Sequence, residues 1–293
     1  MNNPSAKNSS KWTIREVVQW TTDYFRQKGI DSARLDAEVL LAHALGADRL
    51  YLYLNLDKPL SQQERDKYRE LVTRRGRREP VALITGRKEF WSINLRVHPG
   101  VLIPRPETEV LVQAVLDEIR ELRQPRVLDI GTGSGAAAIA IAHDRPDARV
   151  IATDQDPAAV HLAWMNAKEA DTAEHMAMLA ADLFSCFRPG PHFHVICSNP
   201  PYVSDDEMMT LAPEIFRFEP RSALAAGPEG LDVIRAIASQ AREFLAAKGA
   251  LILEMGAGQE KAVREIFETA GLGEEIAVFR DLAGIPRVVK GRS

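Results

Sequence analysis

The chain has 293 residues, 45% hydrophobic and 27% charged, which is ordinary globular usage and enough for one large domain or two smaller ones. Its 37 Lys and Arg against 41 Asp and Glu give a net charge of -4, which argues against a binder of free nucleic acid, whose affinity comes from phosphate neutralisation. Cys186 and Cys197 make neither a disulfide framework nor a C-x-x-C metal spacing, no apolar run reaches the ~18 residues of a membrane span, and the polar stretch Met1 to Lys11 lacks a leader's apolar core. A soluble, cytoplasmic protein with no membrane attachment is expected.

In chain order, residues 1–10, rich in Asn, Ser and Lys, read as disordered. Thr13 to Glu16 and Ser61 to Glu64 each fit a capping box, in which hydroxyl and carboxylate satisfy the free N–H groups of a helix start. Between them Leu35, Val39 and Ala42 recur at helical spacing, with Gly46 as the stop. Three or more amphipathic helices are expected in a small bundle over 1–79. It ends in Arg74, Arg75, Arg77 and Arg78, read as a solvated helix end rather than a docking patch. Residues 80–106 contain a β-rich stretch, Glu89 to Val97, and read as a β-hairpin connector.

From 107 to 293 strands and helices alternate. Helices are expected over Glu107 to Leu122, Gly135 to His143, Pro157 to Glu169, Leu231 to Ala247 and Gln259 to Ala270. Strands are expected over Arg126 to Ile130, Arg149 to Asp154, Met176 to Ala180, Phe193 to Cys197, Ala250 to Glu254, Ile276 to Arg280 and Arg287 to Lys290. The pattern implies an α/β fold with a parallel sheet covered on both faces, closed by an antiparallel last pair.

Two strand ends carry chemistry. Val127 to Ile130 runs into Gly131-Thr132-Gly133-Ser134-Gly135, a glycine-rich turn that lets the backbone approach a nucleotide-like ligand and enter a helix sharply. Asp154 ends the next strand, where it can take ribose hydroxyls, and Asp182 with Leu183 follows the third, suited to an adenine amino group and ring face. These features leave a dinucleotide open but favour S-adenosylmethionine, because the fourth strand offers nothing for hydride chemistry. That strand ends in Asn199-Pro200-Pro201-Tyr202. Proline stops the ladder and stiffens the turn, so the Asn199 Oδ1 and the Pro200 carbonyl can accept the two N–H bonds of a conjugated NH2, with the Tyr202 ring against its plane. Glutamine and adenine both present such a group. No metal site is expected, since His192 and His194 share a strand face while Cys197 points the other way.

Several segments carry a resemblance: Arg78-Glu79-Pro80-Val81-Ala82 with Thr85-Gly86, Glu89-Phe90-Trp91, Ile103-Pro104-Arg105-Pro106-Glu107-Thr108-Glu109, Asp129 to Gly135, Ser198 to Tyr202, Arg217-Phe218-Glu219-Pro220, and Asp281 with Arg287. In these the chain resembles the HemK/PrmC family of class I, Rossmann-like methyltransferases, which act on a glutamine N5 of peptide-chain release factors. The resemblance implies S-adenosylmethionine as cofactor and class 1 release factors as partner, with the glutamine of a Gly-Gly-Gln loop as acceptor. Asn199, Pro200, Pro201 and Tyr202 would then be catalytic, and Phe90, Arg105 and Glu107 would close the site from the hairpin side. Ala257 stands where an aromatic or polar residue is expected, but no proposed role rests on it. Alternatives are a glutamine methyltransferase for a ribosomal protein, a DNA adenine-N6 methyltransferase and a nucleotide-binding scaffold without chemistry.

Overall fold

The computed structural model describes residues 12–292, so the expectation for residues 1–10 lies outside the described residues. The chain divides into two compact units, Met1–Thr85 and Gly86–Ser293.

The first unit is helical: α1 (Ile14–Gln27), α2 (Ala33–Leu45), α3 (Arg49–Leu54), α4 (Gln62–Gly76) and α5 (Val81–Thr85). Both expected capping boxes form, at Thr13 and Ser61, and Gly46 ends α2 in the left-handed conformation. The buried face of α2 differs from expectation. Leu35 is 47% exposed, whereas Asp36 and Glu38 are buried. Paired acids can be taken inside, which apolar spacing does not show: Arg75 Nε donates to Asp36 at 2.7 Å, and Glu38 accepts from Arg34, Arg49 and Tyr53. The arginine cluster is likewise structural. Arg74 pairs with Glu79 at 2.5 Å, and Arg78 donates to the carbonyls of Lys28 and Gly29, leaving Arg77 exposed. Helix α5 takes up the start of the 80–106 segment, with Leu83 and Ile84 buried, ahead of the β-rich stretch Glu89 to Val97.

The second unit opens with a hairpin of β1 (Arg87–Phe90) and β2 (Ile93–Arg96). Its two-residue turn, Trp91-Ser92, has both φ angles positive, the geometry that matches strand twist. Glu109 accepts the Trp91 N–H and Asp144 the indole N–H, which holds a turn without glycine. There follow α6 (Thr108–Glu118), β3 (Arg126–Ile130), α7 (Ala136–Asp144), β4 (Arg149–Asp154), α8 (Pro157–Glu169), β5 (Met176–Ala180) and β6 (Phe193–Ser198). The chain continues through α9 (Asp205–Met208), α10 (Pro213–Phe218), α11 (Asp232–Ala241), β7 (Leu245–Glu254), α12 (Glu260–Thr269), β8 (Glu275–Arg280) and β9 (Pro286–Arg292).

The seven-stranded sheet has the order β5-β4-β3-β6-β7-β9-β8, with β9 antiparallel to both neighbours. Alternate strand residues feed two cores. Val127, Val195 and Ile252 pack with α6 and α7, while Leu128, Ile196 and Leu253 pack with α11 and α12. Strand β7 begins five residues earlier than expected, at the end of the segment read as helix. Leu245 pairs with Phe193, the register shifts, and Lys248 takes a positive φ before Ala250 resumes pairing with Val195. Strand order reverses between β3 and β6, which opens a ligand crevice at their carboxyl ends.

Candidate functional site

A cavity of about 420 Å³ lies in that crevice. Its walls include Gly131, Thr132, Gly133 and Ser134 after β3, Asp154 ending β4, Asp182 and Leu183 after β5, and Asn199, Pro200 and Pro201 after β6. Arg105 lines it as well. Four nominated residues do not.

Gly135 sits behind the turn as the N-cap of α7, where an added Cβ would lie 2.8 Å from Ile139 Cδ1, so it serves helix packing. Phe90 is 2% exposed and packs in the core with Leu95, because one face of the hairpin turns inward. Glu107 precedes α6, and its charge acts on Glu254 and Arg287. Tyr202 is partly buried against the α11–α12 core, and its hydroxyl donates to Glu254 Oε1 at 3.3 Å.

At the β3 end the glycine turn is tied down locally. Thr132 Oγ1 donates to buried Asp129 at 2.7 Å, and the Gly133 N–H donates to Asp154 Oδ2 at 2.9 Å. Burial pushes the Asp129 carboxyl up to about 7, against the Thr132 hydrogen bond and with help from the charge of Asp154. Burial also raises Asp154. Leu183 adopts a φ of 45°, a left-handed conformation uncommon for leucine, at the cavity wall.

At the β6 end the support comes from far along the chain. Asn199 Nδ2 donates to Thr108 Oγ1 at 3.0 Å. Gln259 Nε2 donates to the Tyr202 carbonyl at 3.0 Å, while its Oε1 accepts the Gly256 N–H at 2.8 Å. Val203 then pairs with Ala225, closing the loop that carries α9 and α10. Within that loop Glu219 binds Arg105 at 2.5 Å, which fixes the segment before α6 at the cavity.

Sequence reading missed Thr108, Glu254, Gln259 and Asn166 as supports. Asn166, inside α8, exchanges hydrogen bonds with both backbone groups of Arg96 and donates to the Ser134 carbonyl at 2.8 Å, joining the hairpin to the glycine turn. A polar residue on the buried side of an otherwise apolar helix face was the available signal.

His192, His194 and Cys197 have separate partners: the Arg188 carbonyl, the Arg126 N–H and Asp129. Among the described residues no group of three or more His, Cys, Asp or Glu is placed to hold a metal, and no helix is long and apolar enough to cross a membrane.

Comparison with known proteins gives two family matches, the PrmC N-terminal domain over residues 16–86 and the Methyltransferase small domain over 104–229. A release factor glutamine methyltransferase of Rhodopirellula baltica is 42% identical over 286 residues, spanning 96% of this chain and 97% of its own length. Another, of Geobacter sulfurreducens, is 43% identical over 283 residues, with the same two shares. Among solved structures the hMettl16 catalytic domain shares the fold at a TM-score of 0.55, with 14% identity, covering 76% of this chain and 80% of that one.

Proposed function

The chain belongs to the release factor glutamine methyltransferase family, and we propose that it methylates the glutamine N5 in the Gly-Gly-Gln loop of class 1 release factors, using S-adenosylmethionine. The observation that carries the reading is the orientation of Asn199. Its Nδ2 is occupied by Thr108, so Oδ1 is the end left for an acceptor NH2 in the cavity.

The residues present fit the donor. A Cβ on Gly131 would meet nothing nearer than Ser198 Oγ at 4.0 Å, so glycine there leaves a cradle that a side chain would fill. A cavity of about 420 Å³ is in the range of small-molecule sites. Asp154 would hold ribose hydroxyls, Asp182 and Leu183 would hold the adenine edge and face, and the turn from Gly131 to Ser134 would lie along the rest. When bound, S-adenosylmethionine supplies a methyl group made electrophilic by a positively charged sulfur.

An amide nitrogen is a poor nucleophile, because its lone pair is delocalised into the carbonyl. Orientation and charge stabilisation must therefore come from the chain. Asn199 Oδ1 and the Pro200 carbonyl would accept the two amide hydrogens, aim the nitrogen and stabilise the positive charge that develops on it. Pro201 stiffens the turn so that neither acceptor has to be ordered during the reaction. Tyr202 backs the turn, and Arg105, fixed by Glu219, would meet the incoming loop. The amide nitrogen would bond to the methyl carbon as the carbon–sulfur bond breaks and its electron pair stays on the sulfur, and one amide proton would then leave to solvent. The reading places the protein in the cytoplasm with its substrate.

Labelled donor incubated with a class 1 release factor should label it, and a Gln→Ala change in the Gly-Gly-Gln loop should abolish the label. Equal labelling of both proteins would refute the glutamine acceptor.

A further inference from the structure

The side chains and prolines of the turn that ends β6 offer an incoming group acceptors rather than donors. Asn199 Nδ2 is taken by Thr108, the Tyr202 hydroxyl is taken by Glu254, and Pro200 and Pro201 have no N–H to give. A carboxamide brings more than an NH2. Its carbonyl oxygen also leaves water on entering the cavity, and a buried oxygen without a donor costs free energy. A donor for that oxygen has to come from another part of the wall.

Arg105 is the one Lys or Arg among the described residues that line the cavity, against Asp129, Asp154, Asp156, Asp182 and Asp232. Thr108 ties it to Asn199: the Arg105 carbonyl accepts the Thr108 N–H at 3.1 Å, and the hydroxyl of the same Thr108 accepts Asn199 Nδ2 at 3.0 Å. Glu219, its side chain 1% exposed, accepts Nη2 of Arg105 at 2.5 Å. The other oxygen of that carboxylate accepts the Ile103 N–H at 3.4 Å, so both oxygens are fixed to the segment before α6. The Arg105 side chain is 28% exposed, and its Nε and Nη1 have no hydrogen-bond partner among the described residues. A planar guanidinium held through one nitrogen by a fixed carboxylate keeps its remaining N–H bonds in a set direction.

We propose that Arg105, positioned by Glu219, is a specificity-determining residue that donates to the carbonyl oxygen of the acceptor carboxamide while Asn199 Oδ1 and the Pro200 carbonyl take its NH2. An amine has N–H bonds but no such oxygen, so the two sets of contacts select a carboxamide. The inference rests on the acceptor roles given to Asn199 and Pro200 in the proposed function. Its kinetic signature differs from theirs. As the amide nitrogen bonds to carbon, its lone pair leaves the carbonyl, and the oxygen loses the negative charge that conjugation gave it. A donor on that oxygen is no stronger in the transition state than in the ground state, so it acts on binding and not on the chemical step.

The test follows Arg105→Lys, which keeps a cation for Glu219 but lacks the planar fork. In single-turnover transfer to a release factor at saturating S-adenosylmethionine, the half-saturating concentration of release factor should rise about 10-fold or more, as for loss of a hydrogen bond from a charged group, with the maximal rate within about three-fold of wild type. Binding of the release factor and of its Gln→Ala variant, measured with the demethylated donor, completes a double-mutant cycle. Arg105→Lys should weaken the former about 10-fold and leave the latter unchanged. Equal weakening of both, a fall in maximal rate alone, no effect on either quantity, or a loss of S-adenosylmethionine affinity as large as the loss of release factor affinity would each overturn the inference. If Arg105→Lys does not fold, the double variant Arg105→Met, Glu219→Gln, which removes both charges of the pair together, is held to the same outcomes. Absence of transfer by the wild-type protein under the same conditions would instead refute the proposed function on which the inference rests.

Discussion

At the carboxyl end of β3 the cavity wall is held mainly by near neighbours, Thr132 on Asp129 three residues away and Gly133 on Asp154 across the adjacent strand. At the end of β6 the Asn-Pro-Pro-Tyr turn is held by Thr108, Glu254 and Gln259, which lie 91, 52 and 57 positions from their partners. The difference follows from the role proposed for each end. Cradling a donor needs backbone freedom and a carboxylate, which one strand, turn and helix supply within a short segment. Fixing the orientation of a side-chain amide needs partners on several sides, and only the assembled fold can bring them. The acceptor end can therefore be altered while the donor end stays intact.

The comparison breaks most visibly at Asn199. Asn199→Ala would remove the proposed transition-state acceptor, and turnover should fall by ~10² to 10³. A variant retaining more than about a tenth of the wild-type rate would lose under 1.4 kcal/mol and exclude this role. Asn166 tests the opposite end, because it is the long-range support of the glycine turn. Asn166→Ala leaves the Arg96 N–H and the Ser134 carbonyl unpaired, and denaturant unfolding should show a loss of roughly 2–4 kcal/mol. A loss under about 0.5 kcal/mol would show that the turn stands without it.

A smaller effect concerns pH, since one buried acid sits at each end. Burial pushes Glu254 up from 4.5 and Asp129 up from 3.8, both to about 7. Between their ordinary values and about 7 the folded state binds more protons than the unfolded one, so these groups lower stability as pH rises through that window. Glu254→Gln and Asp129→Asn should each flatten the decline of melting temperature with pH. An unchanged slope in either variant would mean that its acid is not held in a raised state.

What was legible in the sequence divides along the same line. The alternation of strands and helices, the glycine turn and Asp154 were readable because each depends on spacing within a short segment. The turn at Asn199 was readable from its own four residues, but its support was not. Thr108 looks like an ordinary helix start, Glu254 like a polar strand end and Gln259 like an exposed helix start, and nothing local says that they converge. Phe90 was assigned to the cavity because segment identity does not tell which face of a hairpin turns inward. Leu35 misled for the reverse reason, since Asp36 and Glu38 are held inside by arginines and tyrosine from elsewhere in the bundle.

The division between donor end and acceptor end is tested most directly by calorimetric titration of S-adenosylmethionine into Asp154→Ala and Asn199→Ala. Asp154→Ala should weaken donor binding by about 10-fold or more, as for loss of a charged hydrogen-bond acceptor, while Asn199→Ala should keep its dissociation constant within about two-fold of wild type. Equal losses of donor affinity in the two variants would contradict the account.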